Sequence, residues 1–212
     1  MKKFAFYVSA NATRLINFLK LSSSESLIHQ IEFVLIDNKN NKILKKICDE
    51  KNITFYEVDY IDIIKKNEFI SKIFLDYLKE FKIDFAFIFA DRILVGNLLK
   101  EYKNRLINFH PSLLPSHKGL YAIDSALNAG TFLLGNTAHL VTKELDGGRV
   151  VMQNIFPATN FKTYDDVLDN QLIMLRQLML WIDKDRLIID EYSAKIQNAS
   201  YEVNTFIPNI EE

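Results

Sequence analysis

Residues 85–89 read Phe85-Ala86-Phe87-Ile88-Phe89, five apolar side chains with no polar position among them. A strand with one wet face alternates apolar and polar residues, so a strand that is apolar throughout is covered on both faces, like an inner strand of a parallel sheet. The flanking sequence fits that reading. Phe4 to Val8, Ile31 to Ile36, Ile53 to Val58 and Leu106 to Phe109 are further β-rich runs. Between them, Thr13 to Lys20, Ile43 to Lys51, Phe69 to Phe81 and Leu94 to Tyr102 space their apolar residues as helix faces packed on a sheet. This alternation predicts right-handed βαβ units: an α/β fold with a mostly parallel, twisted sheet and helices on both faces.

Beyond Phe109 the texture changes. His110, Pro111, Ser112, Pro115, Ser116, His117 and Gly119 lie close together in a stretch that can be neither regular helix nor central strand. It reads as a loop leaving the C-terminal end of a strand, where parallel α/β sheets bind ligands. A helix from about Tyr121 to Asn128 is expected next, then strands at Thr137 to Thr142 and Val150 to Ile155. The segment Glu144-Leu145-Asp146-Gly147-Gly148 joins those strands, its Asp-Gly-Gly stretch supplying the positive-φ positions of a tight connection. A long helix from about Tyr164 to Ile182 and an edge strand at Leu187 to Ile189 close the chain. No repeat and no linker interrupts the 212 residues, so one domain is expected.

Composition narrows the function. The chain is 49% hydrophobic and 25% charged, enough to bury a good core, and its net charge of -1 offers no positive field for nucleic acid or an anionic membrane. A small-molecule partner follows. The single cysteine, Cys48, excludes an intrachain disulfide and a multi-thiolate metal site, and fits a reducing, cytoplasmic setting. Met1 to Val8 runs into polar Ser9, Asn11 and Thr13, which marks a first strand and not a signal peptide, and no apolar run reaches the ~18 residues of a membrane span.

Asn108 and His110 stand two apart on a strand, so an amide and an imidazole leave the same face while Phe109 points to the other. Pro111 and Pro115 stiffen the exit by fixing φ. Each of these residues, like Asp146 before its glycines, has an ordinary structural use by itself. The joint pattern is specific: Asn108-Phe109-His110-Pro111-Ser112-Leu113-Leu114-Pro115, then Gly119, His139 and Glu144-Leu145-Asp146-Gly147-Gly148, closely resembles the signature of the formyltransferase family typified by glycinamide ribonucleotide transformylase. The similarity runs from about Phe85 to about Val151.

The resemblance implies a formyltransferase-type, Rossmann-like domain that carries a formyl group from N10-formyltetrahydrofolate to a primary amine through a tetrahedral intermediate. Asn108, His110 and Asp146 match the family's catalytic residues. An amide and an imidazolium can donate to an oxygen that becomes negative only near the transition state, and a carboxylate beside the ring favours its charged form and can relay the amine's proton. By the same resemblance Asp91, Arg92, Ile93, Leu94 and Val95, with Val141, Thr142, Lys143, Glu144 and Leu145, line the donor pocket, and His139 supports Asp146. Pro111 and Gly119 fall on the acceptor side. No metal is implied.

The acceptor side departs from the family pattern. The loop after the first strand reads Ser9-Ala10-Asn11-Ala12-Thr13-Arg14, with alanines where the family's phosphate-cradling loop has glycines, leaving Asn11, Thr13, Arg14 and the helix N-terminus to hold an anion. Gln171 falls where the family grips the acceptor amine with an acid. These changes point to a changed acceptor: an amino sugar carried on a nucleotide, with phosphoribosylglycinamide of purine synthesis as the alternative. A formyltetrahydrofolate hydrolase is a second alternative, although such relatives usually carry an N-terminal regulatory domain and this chain begins at its first strand. A folate-binding scaffold without activity is a third, which the intact Asn108, His110 and Asp146 disfavour. The C-terminal domain of the methionyl-tRNA relatives is not expected, and the apolar helix face from Leu172 to Trp181 is left to cover either a homodimer contact or the sheet.

Overall fold

The computed structural model describes all residues except Tyr60–Asp62, Val203 and Glu212. The chain divides into two compact units, residues 1–107 and 108–212.

The first unit alternates β1 (Phe4–Val8), α1 (Thr13–Leu19), α2 (Glu25–Ile28), β2 (Ile31–Ile36), α3 (Lys42–Glu50), β3 (Thr54–Glu57), α4 (Lys66–Glu80), β4 (Phe85–Phe89) and α5 (Asn97–Glu101), and ends within β5 (Leu106–His110). The strand order is β5-β4-β1-β2-β3. β1 pairs in parallel with β2 and β4, and β2 with β3, as the alternation requires. The apolar run that opened the reading is an inner strand: Ala86 and Phe87 are fully buried, and Phe87 packs its ring 5.4 Å from Phe6 of β1. Truncating such a side chain to alanine costs about 3–5 kcal/mol.

Helix α3 shows how sequence sets an element. Asn41 caps it by accepting from the Leu44 N–H at 3.0 Å, and Leu44, Ile47 and Cys48 then share the buried face. Burial, with Asp49 nearby, pushes the Cys48 thiol up to about 12, so it stays an inert apolar filler. Helix α5 begins at Asn97, three residues later than the apolar spacing suggested, because Gly96 at φ 72° and ψ -141° ends the irregular segment before it.

The second unit takes over β5 from Asn108 and continues with α6 (Ala122–Asn128), β6 (Leu133–Leu140), β7 (Val150–Pro157), α7 (Tyr164–Asp183), β8 (Leu187–Ile189), β9 (Ala194–Ile196) and β10 (Phe206–Ile207). Here the order is β5-β6-β7-β10, with β6–β7 and β7–β10 antiparallel. The expected closing edge strand is corrected: β8 pairs with β9 in a separate hairpin, and β10 lies against β7. Strand β6 starts four residues earlier than expected and runs through Gly135. A Cβ there would lie 2.1 Å from the Asn154 carbonyl oxygen, so this glycine permits close strand approach and does not break the strand.

Helix α7 buries Val167, Leu172, Met174, Leu175, Leu178, Met179, Trp181 and Ile182, and packs on β6 and β7. The Leu172 to Trp181 face is therefore used inside the chain. Among the described residues no helix is long and apolar enough to cross a membrane.

Candidate active site

The second unit brings Asn108, His110, His139 and Asp146 together. Asn108 and His110 sit at the end of β5, and His139 sits near the end of β6 at an irregularity between Ala138 and His139 that re-aims its ring. Asp146 comes from the loop 141–149 that joins β6 to β7.

Asp146 lies between two imidazoles. Its Oδ2 is 3.5 Å from His110 Nδ1 and its Oδ1 is 3.5 Å from His139 Nε2, while the Gly119 N–H donates to Oδ2 at 2.8 Å. The carboxylate is 8% exposed, and His110 and His139 are buried too. Burial by itself would raise the pKa of Asp146. The hydrogen bonds from His139 and the Gly119 N–H, with the charge of both imidazoles, outweigh burial and hold the carboxyl below the ordinary aspartate value. It is a carboxylate at neutral pH, available to take a proton.

The ring partners fix which nitrogens donate. His139 Nδ1–H donates to the Leu140 carbonyl at 3.1 Å. Its Nε2 then faces Asn108 Nδ2 at 3.2 Å and the carboxylate: the neutral ring accepts from the amide, and the doubly protonated ring donates to Asp146. In the neutral form one Asn108 N–H is held by His139, which orients the amide and leaves its second N–H for a ligand oxygen. His110 Nε2–H donates to the His117 carbonyl at 2.8 Å, so Nδ1 is the nitrogen turned to Asp146.

Asp146 itself adopts φ 48°, while Gly147 and Gly148 have negative φ. Within the Asp-Gly-Gly segment expected to supply positive-φ positions, Asp146 is the residue that takes one. Aspartate tolerates this region, and the turn there points its carboxylate at the rings. The glycines serve close approach: a Cβ on Gly148 would lie 1.6 Å from the Leu140 carbonyl oxygen, and one on Gly147 would lie 2.3 Å from the Glu144 side chain.

The exit loop after His110 is fastened to the strands beside it. Thr137 Oγ1 donates to the Ser112 carbonyl at 2.7 Å and accepts from the Leu114 N–H and from Gln153 Nε2, which also donates to the Leu114 carbonyl. Ser112 Oγ donates to the Ser116 carbonyl. Pro111 is half-buried in this loop, and the Leu114–Pro115 peptide is cis. Lys118 Nζ pairs with Glu144 Oε1 at 2.8 Å, tying the two loops around Asp146. Residues 142–145 are exposed beside it and Val141 is half-buried.

Gln171 is placed differently from the expectation. It is fully buried, and its Nε2 donates to Asn136 Oδ1 at 2.8 Å within a chain of amides in which Asn136 Nδ2 donates to Asn154 Oδ1 and to the Val167 carbonyl. Its amide is spent in the core and not on an acceptor. In the first unit, Asn11 and Thr13 are exposed and Arg14 lies 4.7 Å over the Phe89 ring. Burial pulls the Arg14 pKa down to about 10 against the opposing pull of Asp91. The helix after them, α1, has only seven residues and begins from Ala12 without a side-chain cap. Ala10 and Ala12 both take φ 52°, so the loop keeps a glycine-type backbone without glycine. Asp91 and Arg92 precede α5 by several residues and do not pair at its start: Arg92 Nε reaches Asp37 Oδ2 at 3.5 Å, and the Asp91 N–H donates to Ser9 Oγ. Ile93 is exposed, Leu94 is buried, and the Val95 N–H donates to Ser71 Oγ.

His117 and Ser125 carry contacts that the sequence did not mark. His117 was expected to be an ordinary loop residue, yet its carbonyl holds His110 and its Nδ1 lies 2.9 Å from Ser125 Oγ. A bond to a backbone oxygen leaves no residue-type signal.

Known proteins resemble this chain in sequence and in fold. The formyl transferase family model matches residues 2–176. The chain is 27% identical over 195 residues to the phosphoribosylglycinamide formyltransferase of Haemophilus influenzae, covering 88% of this chain and 90% of that one. It is 29% identical over 156 residues to the trifunctional purine biosynthetic protein adenosine-3 of Gallus gallus, covering 73% of this chain but spanning only 15% of that relative's length. It is 30% identical over 122 residues to the formyltetrahydrofolate deformylase of Haemophilus influenzae, covering 57% of this chain and 42% of that one. Among solved structures, glycinamide ribonucleotide transformylase 1 from Symbiobacterium toebii superposes with a TM-score of 0.81 at 23% identity, over 93% of this chain and 95% of that one, a likeness of fold.

Proposed function

We propose, from the premise that this chain belongs to the formyl transferase family, that it transfers a formyl group from N10-formyltetrahydrofolate to the primary amine of phosphoribosylglycinamide. The observation that carries the chemistry is the convergence of Asn108, His110 and Asp146, with the carboxylate 3.5 Å from the ring. As the amine nitrogen bonds to the formyl carbon, the carbonyl pair moves onto oxygen. The free N–H of Asn108 and, in the doubly protonated ring, the Nδ1–H of His110 are the donors suited to meet that charge. Catalytic hydrogen bonds are often long until substrate arrives, so a 3.5 Å gap leaves Nδ1–H free to turn toward a ligand oxygen. Asp146, kept ionised by its partners, takes the proton the amine loses, and the departing folate nitrogen receives one when the carbon–nitrogen bond to the donor breaks. The segment Val141 to Leu145 is the part of the second unit suited to receive the donor.

The acceptor reading moves from the expected amino sugar to phosphoribosylglycinamide. The sequence argument for a changed acceptor rested on Gln171 and on the two alanines, and both lose force. Gln171 is committed to Asn136, and Ala10 and Ala12 hold the left-handed backbone that glycine would supply. The relative matched over nine-tenths of its own length carries the phosphoribosylglycinamide name. Water in place of the amine would give the hydrolase reading, which the deformylase similarity keeps in view.

One experiment separates these. The protein is incubated with 10-formyltetrahydrofolate and, in separate reactions, phosphoribosylglycinamide, amino-sugar nucleotides or no acceptor. Acceptor mass and free formate are followed. Formylated phosphoribosylglycinamide is expected; formylation of the sugar alone, or formate release without acceptor, would replace the reading.

A further inference from the structure

We infer that His117 and Ser125 are positioning residues for His110: together they decide which imidazole nitrogen faces Asp146. This rests on the formyl-transfer reading only for its kinetic consequence. A carbonyl oxygen accepts and never donates, so the 2.8 Å contact from His110 Nε2 to the His117 carbonyl requires a proton on Nε2. The opposite edge of the ring, Nδ1, is thereby held toward Asp146 Oδ2. Without that carbonyl, the ring is free to flip or to carry its proton on Nδ1 alone.

Two features hold the carbonyl in place. His117 sits at φ 53°, a left-handed conformation uncommon for a side chain with a Cβ, although histidine and asparagine adopt it more readily than most. Its ring is anchored by the 2.9 Å contact between Nδ1 and Ser125 Oγ, and Ser125 is fixed on α6 by its N–H donating to the Tyr121 carbonyl at 2.9 Å. The path from α6 to the imidazole thus runs Ser125, His117 ring, His117 carbonyl, His110. Neither residue touches the position of the reacting atoms, so their effect is on orientation.

The test uses Ser125→Ala, which removes the anchor, His117→Val, whose β-branch resists positive φ, and His117→Asn, which tolerates it. Loss of an oriented catalytic group by about 1 Å costs on the order of 100-fold. His117→Val should therefore lower kcat by roughly that factor and Ser125→Ala by about tenfold, both with little change in either KM, and His117→Asn, which keeps the backbone but loses the ring's contact to Ser125, should recover to about the Ser125→Ala rate. In parallel, imidazole 15N NMR should show His110 Nε2 protonated in the unaltered chain and a changed pattern in His117→Val. Wild-type kcat and an unchanged His110 15N pattern in both damaging variants would overturn the inference, as would losses confined to KM. If the unaltered chain formylates nothing, the functional reading fails, while the 15N comparison still decides the positioning role.

Discussion

Gly148→Ala tests how finely the loop of Asp146 is set. The new Cβ would lie 1.6 Å from the Leu140 carbonyl oxygen and 2.7 Å from its carbon. Real Cβ contacts stay beyond 3.0 Å, so loop and strand must part by about 1.4 Å, the difference between 3.0 and 1.6 Å. The same carbonyl accepts His139 Nδ1–H at 3.1 Å, and the Leu140 N–H donates to the Arg149 carbonyl at 2.9 Å, so the strain reaches both the ring and the strand pairing. Asp146 lies two residues away. A displacement near 1 Å at a catalytic group costs about 100-fold in rate, or about 2.7 kcal/mol of barrier, and overpacking costs about 1–3 kcal/mol of stability. For a chain of this length that is a fall in Tm of roughly 2–12 °C. Calorimetry and initial formyl-transfer rates at saturating substrates would measure both. A variant with native Tm and full kcat would show that this close approach does not set the loop.

Four further outcomes are expected. Asp146→Asn keeps the shape but removes the proposed proton acceptor, and kcat should fall by about 10²–10⁴, read by steady-state kinetics with folding checked by circular dichroism. Because the folded pKa of Asp146 is depressed, its contribution to stability is present above the unfolded value of about 3.9 and is lost as pH falls through the lower folded value. The Asp146→Asn variant should therefore lose less stability than the parent in denaturant titrations across that acid window. Ala10→Gly and Ala12→Gly relieve φ 52° at the cost of chain entropy, and each should raise stability by roughly 0.5–1 kcal/mol in urea titrations. Gln171→Leu orphans a buried Asn136 oxygen and should cost about 1–3 kcal/mol while leaving the acceptor KM unchanged; a raised KM would return Gln171 to the acceptor.

Most strands of the fold are legible in the sequence because burial writes itself into composition. β1, β2 and β4 fall on the apolar runs that announce them. Features governed by contacts distant in sequence are not legible. The expected strand begins only at Thr137, because the Asn154 carbonyl that lies against Gly135 in β6 is distant in sequence. β9 and β10 are too short for a period to show, and β8 finds its partner only in β9. In the site, Asn108, His110, His139 and Asp146 could be assembled because they match a known pattern. The left-handed Asp146, the buried use of Gln171 and the carbonyl of His117 depend on backbone geometry, which residue types do not encode.

One carboxylate answering to two rings has a genetic consequence. With Asp146 Oδ1 turned to His139 and Oδ2 to His110, the effects of changing the two histidines will not sum, since removing either ring lets the aspartate settle on the other. A double-mutant cycle across positions 110 and 139 should show strong epistasis.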